Sequence, residues 1–268
     1  MEETLQPKEA MFLAKKAGFV AIELALGEGK FLNINTSKKT ILEYLEFSKK
    51  IGIKISSLAS GVFWKYNFSS PEKEKVNKAM ETVKSMLKIA SWLELDTILV
   101  IPGSVDVPWD SEIPIVPYDV VYNKSLSALI QLKKFAEDME VNIGIENVWN
   151  RFLLSPLEMR NFIDEINSPQ IGAYFDIGNS VLFGYPEHWI KILGKRIKKV
   201  HVKDFKREIA TLDGFCDLLE GSVNFPEVIK ALKEIGYNDY LTSEILPPPA
   251  EGLVDRASVA MDKIIGMQ

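Results

Sequence analysis

The chain has 268 residues, 47% of them hydrophobic, and a formal net charge of −5 with a pI near 5.3. That is enough apolar material for a sizeable core in a chain the length of one α/β barrel, and the acidic, interleaved charge argues against a nucleic-acid partner. A single cysteine, Cys216, excludes an intrachain disulfide and fits a reducing cytoplasm, and with no signal peptide and no apolar run of about 18 residues neither secretion nor membrane insertion is expected.

Strand and helix patterns alternate along the chain. Lys8–Ala17 reads as a helix stopped by Gly18, and Val20–Leu24 as a strand in which Glu23 points inward with a structural role expected. Ser37–Ile51 is an amphipathic helix closed by Gly52, and Ile53–Leu58 is the next strand. The loop Gly61–Ser70 carries Trp64, and Ser70-Pro71-Glu72 predicts a helix start with Ser70 as N-cap, running to about Leu93. Thr97–Ile101 is a continuous apolar run, as in a strand buried on both faces. A long loop from Ser104 to Pro117 holds Trp109, and a helix follows from about Tyr118 to Met139.

Val141–Asn147 is the stretch around which the rest is organised. Its β-branched residues alternate with Asn142, Gly144 and Glu146, so one face is apolar and the other ends in a carboxylate. Ser155-Pro156-Leu157-Glu158 predicts a helix start with a capping box, and the helix ends near Asn167. Then come a strand Ile171–Asp176, a helix Pro186–Leu193 and a strand Lys199–Lys203. A loop over 206–223, a helix Asn224–Ile235, a strand Tyr240–Ile245 and a last helix Glu251–Ile265 complete the chain. This order implies a parallel sheet with right-handed crossovers. No Gly-x-Gly-x-x-Gly turn follows any strand, which removes the main dinucleotide-binding signature. With seven strands and eight helices, the reading is a single-domain (β/α)8 TIM barrel, residues 1–268, lacking its first β-strand. The open edge calls for a covering helix or a homo-oligomer.

Glu146, Asp176, His201 and Glu244 all fall near strand ends, where barrel active sites lie. Three converging carboxylates would repel, and a divalent cation with the imidazole as fourth ligand resolves this. Such a donor set suits Mn²⁺ or Mg²⁺, with Co²⁺ or Zn²⁺ as alternatives. For any one residue alone, an ion pair is the competing account. Lys203 shares the orientation of His201 and is a candidate for a substrate hydroxyl, carboxylate or phosphate, or else for a salt bridge. Asn147 and Asn179 follow ligands, where they contact substrate or close turns. Trp64 and Trp109 are placed to roof a pocket or to pack loops. His188 and Cys216 read as a surface residue and an ordinary thiol.

Phe175-Asp176-Ile177-Gly178-Asn179, Val200-His201-Val202-Lys203-Asp204, Glu220-Gly221-Ser222-Val223-Asn224-Phe225 and Thr242-Ser243-Glu244 together resemble the xylose isomerase-like barrel superfamily. Within it the chain is similar to sugar and sugar-phosphate isomerases and epimerases, such as the D-tagatose 3-epimerase group and the L-xylulose- and L-ribulose-5-phosphate 3-epimerases. The resemblance implies one metal bound by Glu146, Asp176, His201 and Glu244, with Glu146 and Glu244 doubling as the acid/base pair. It implies a small sugar or sugar phosphate as partner, and proton transfer beside a ketose carbonyl through an enediolate. Tagatose-type enzymes commonly carry a histidine three residues after the aspartate, where this chain has Asn179, and Asn there looks more like the sugar-phosphate enzymes. An inosose-type dehydratase and a non-catalytic sugar-binding barrel are the alternatives.

Overall fold

The computed structural model describes residues 5–245 and 252–267. Seven parallel strands form one sheet in the order β1 (Ala21–Leu26), β2 (Lys54–Ser60), β3 (Thr97–Val100), β4 (Asn142–Glu146), β5 (Ile171–Asp176), β6 (Ile197–Val202) and β9 (Leu241–Ser243). A separate antiparallel ribbon pairs β7 (Asp204–Phe205) with β8 (Phe215–Cys216). The helices are α1 (Pro7–Lys16), α2 (Lys38–Ile51), α3 (Lys73–Trp92), α4 (Tyr118–Met139), α5 (Pro156–Ile166), α6 (Ile177–Ser180), α7 (Pro186–Leu193), α8 (Phe225–Glu234) and α9 (Leu253–Ile265). This is a (β/α)8-type barrel in which the first strand comes after the first helix. Among the described residues no strand precedes α1, and β1 and β9 are the two ends of the sheet. Among those residues no helix is long and apolar enough to cross a membrane.

The strand sequences explain the layering. β3 is buried at every position, so it has apolar neighbours on both faces. In β4 the Ile143 and Ile145 side chains join the main core, while Asn142, Gly144 and Glu146 face the barrel axis. Fully burying side chains of this size contributes about 1.5–3 kcal/mol each. Gly144 answers a steric demand, because a Cβ there would lie 2.9 Å from the Cβ of Tyr174, whose ring fills the barrel interior.

Several expectations needed adjustment. Ser70 is not the N-cap of α3. Its Oγ accepts the Glu72 N–H at 3.1 Å, and the helix starts at Lys73 with Glu72 at the cap position, because Pro71 sits in the turn before it. At α5 the expected cap is present, with the Glu158 N–H donating to Ser155 Oγ. Glu158 reaches back to the Leu154 N–H instead of to Ser155 itself, and its other oxygen accepts from Tyr118. The stretch 206–223, expected as plain loop, contains β8, and the turn after β5 coils into the single-turn α6. The proline run 247–249 and Glu251 lie outside the described residues.

Candidate metal centre

Adjacent strands deliver the site. Asp176 at the end of β5 is in register with His201 on β6. Glu146 ends β4, and the backbone N–H of Glu244, just past β9, donates to the Val202 carbonyl at 3.0 Å. Each side chain is thus carried by a rigid element, and all four meet. One ligand atom from each of Glu146, Asp176, His201 and Glu244 lies within 4.8 Å of every other. Ligands about 2–2.5 Å from one ion can span such separations. His201 Nδ1 lies 2.7 Å from Glu244 Oε2, 3.1 Å from Glu146 Oε1 and 3.9 Å from Asp176 Oδ2.

Lys203 stands inside the same cluster, 2.9 Å from Asp176 Oδ2 and 3.0 Å from Glu244 Oε2. Gly178 lets it through, since a Cβ there would come within 2.4 Å of the Lys203 Cβ. Asn147 and Asn179 brace the strand ends. Asn147 donates to the Asp176 carbonyl and accepts the Asp176 N–H, both at 2.8 Å. The Asn179 side chain donates to the Asn147 carbonyl at 2.9 Å, and its backbone N–H donates to Asp176 Oδ1. Trp64 and Trp109, on the loops that follow β2 and β3, pack edge to face with ring centroids 4.6 Å apart, and Trp109 is half exposed.

A carboxylate on β1 completes the cluster. Glu23 Oε1 lies 3.0 Å from His201 Nε2, while its Oε2 accepts from Ser57 Oγ at 2.7 Å and from the Tyr174 hydroxyl at 2.5 Å. The sequence marked Glu23 as inward-facing, but on its own strand nothing shows that it meets the only inward histidine.

Four carboxylates therefore share the region with two basic groups. Burial pushes the Glu146 carboxyl up to about 7, opposed by His201 and Lys203 and reinforced by Glu244. Burial likewise raises Asp176, against the pull of Lys203. For Glu244 burial is outweighed by the Lys203 and His201 charges, which hold it well below the usual carboxylate range. Burial works against a charged His201, yet the Glu23 and Glu244 carboxylates outweigh it and raise the imidazole's proton affinity well above the ordinary value. Asp176 Oδ2 and Glu244 Oε2 are buried without an aligned hydrogen bond, even though the side chain of Glu244 is 41% exposed overall. Both lie in ion-pair range of Lys203, but one ammonium shared between them leaves each short of the aligned hydrogen bonds a buried carboxylate needs. They are the atoms a cation would take, so this donor set fits a divalent ion.

A family model described as the xylose isomerase-like TIM barrel matches residues 12–262. The chain belongs to that family. It is 25% identical over 246 residues to the Haemophilus influenzae protein named "Putative L-ribulose-5-phosphate 3-epimerase SgbU", covering 86% of this chain and 80% of that one. Over 178 residues it is 29% identical to the uncharacterised protein MJ1311 of Methanocaldococcus jannaschii, covering 64% of this chain and 58% of its relative. A 165-residue stretch is 25% identical to an inosose dehydratase of Bacillus thuringiensis, covering 56% of this chain and 55% of that enzyme. In structure the barrel is similar to a crystal structure of D-psicose 3-epimerase in the presence of D-fructose. The TM-score is 0.79 at 17% identity, over 98% of this chain and 95% of that one.

Proposed function

We propose that the protein is a metal-dependent epimerase or isomerase of a small ketose or ketose phosphate. The observation that carries this reading is the convergence of Glu146 and Glu244 on His201 Nδ1, with Asp176 beside them and two buried carboxylate oxygens that share one lysine and lack an aligned hydrogen bond. The ion would be held by Glu146, Asp176, His201 and Glu244. When bound, it would polarise a carbonyl and offset the negative charge that develops when the adjacent carbon loses a proton. Mn²⁺ and Mg²⁺ suit the oxygen-rich set, and Co²⁺ and Zn²⁺ are compatible with it.

The protein's own groups then divide the proton work. Glu146 and Glu244 are carboxyls whose environments push their proton affinities apart, one up to about 7 and the other well down. That is the pattern of a pair in which one member gives a proton and the other takes one. Lys203 is placed to steady a substrate oxygen, and Asn179 to offer its side-chain oxygen, its nitrogen being used by Asn147. Trp64 and Trp109 would shield the mouth from water. The name of the Haemophilus relative and the asparagine at 179 favour a phosphorylated sugar. The relatives named inosose dehydratases keep one second reading in play, in which the same deprotonation expels a hydroxyl.

The test is incubation of the Mn²⁺-loaded protein in D₂O with a panel of ketoses and ketose phosphates, followed by NMR. Deuterium at C3 marks an epimerase, deuterium at C1 an aldose–ketose isomerase, and loss of water from an inosose the dehydratase. No exchange into any ketose or ketose phosphate, with metal binding verified, removes the proposal.

A further inference from the structure

Glu23 is a carboxylate without a lysine or arginine partner among the described residues; its one ionic contact is with His201. It is anchored from the other side. A β-bulge between β1 and β2 pairs Ile22 with Ile55 but Glu23 with Ser57, so Ser56 is the extra residue and Ser57 comes opposite Glu23. Ser57 and Tyr174 donate to Oε2, leaving Oε1 to meet the imidazole. The Tyr174 ring also lies against the His201 ring, with centroids 4.5 Å apart. The imidazole is therefore held at its Nε2 edge and on one face, with Nδ1 turned toward Glu146, Asp176 and Glu244.

We propose that Glu23 is a positioning residue for the metal centre: it accepts the Nε2 proton of His201, fixes the tautomer whose lone pair is on Nδ1, and so presets the nitrogen ligand. The physical ground is that the hydrogen bond at one ring nitrogen decides which nitrogen is left to ligate. A structural ion pair would need only one contact. Here both carboxylate oxygens are committed, and the three groups that hold them come from β2, β5 and β6.

This inference rests on the metal reading above, and the experiment separates the two. Zn²⁺ affinity is measured by competition with a chromophoric chelator for wild type, Glu23→Gln, Tyr174→Phe and Ser57→Ala. In parallel, long-range ¹H–¹⁵N spectra are recorded on the Zn²⁺-loaded, histidine-labelled proteins. With only two histidines in the chain, and His188 exposed, the His201 signals are assignable by inspection. We expect Glu23→Gln to weaken Zn²⁺ binding about 10–100-fold and to lose the protected Nε2 proton. Tyr174→Phe and Ser57→Ala, which keep the carboxylate but loosen it, should each lose at most about tenfold. They carry the test if Glu23→Gln does not fold. Wild-type affinity and an unchanged Nε2 proton in Glu23→Gln overturn the inference and leave the metal site standing. A wild type that binds neither Zn²⁺ nor Mn²⁺ overturns both.

Discussion

Two lysines four residues apart on the same stretch show how differently the floor and the mouth of this barrel use charge. Lys199 on β6 is buried at the floor, 2.6 Å from Asp239 and 3.0 Å from Asp96, and both partners keep contact with water. Lys203 is buried at the mouth between Asp176, which is fully enclosed, and Glu244. The floor has one cation between two hydrated acids and needs nothing more. The mouth gathers four carboxylates around one lysine and one imidazole and leaves two oxygens without an aligned hydrogen bond. Floor charges hold the fold, whereas the mouth has an excess of anionic charge that a bound cation would offset.

Substitutions on the two sides should separate cleanly. Asp176→Asn keeps the Oδ1 acceptor for Asn179 but removes a ligand, and should lower divalent-ion affinity by about 100-fold or more while the fold persists, as read by calorimetry and circular dichroism. Lys199→Met should leave ion affinity unchanged. Its cost in chemical denaturation should be about 1–2 kcal/mol, well under that of breaking a fully enclosed pair, because Asp96 and Asp239 can be resolvated. If the ion were lost in Lys199→Met instead, the division of labour would be wrong.

The mouth should also respond to pH. An ion must displace the proton of His201, whose affinity for it is raised, and that of Glu146 where it is still held. Affinity therefore rises with pH. The dissociation constant should fall as pH rises, more steeply below about pH 7, where Glu146 still holds its proton, than above it. A flat titration would contradict the charge balance described for the ion-free cluster.

The smallest effect belongs to the outer surface. Arg196 grips Asp164 with both arms, at 2.6 and 2.8 Å, and holds its carboxyl below the usual range. A depressed carboxylate stabilises the fold above its unfolded-state pKa, and that contribution disappears as pH falls through the folded value. Asp164→Asn should cost about 0.5 kcal/mol at neutral pH, since the pair is partly exposed, and nothing in strong acid.

Much of this was readable from residue order. The alternation within Asn142–Glu146 and Ile171–Asp176 places the candidate ligands Glu146 and Asp176 on the inner face, and Ser155 capping α5 followed from its spacing to Glu158. What was not readable depended on contacts between distant strands. Glu23 gains its meaning only from the bulge that seats Ser57 and from Tyr174, 151 residues away. The ribbon of β7 and β8 forms around Asp204, whose carboxylate accepts the N–H groups of Gly221 and Val223, a pairing no local pattern announces.

The Glu23–His201 contact closes a loop of 178 residues. A cluster that joins β1 to β6 cannot exist until most of the chain has assembled, so an ion captured there would arrive late and find no place in the folding transition state. Such an ion would act as a latch. Refolding should be nearly indifferent to it, while escape from the native state slows in proportion to occupancy.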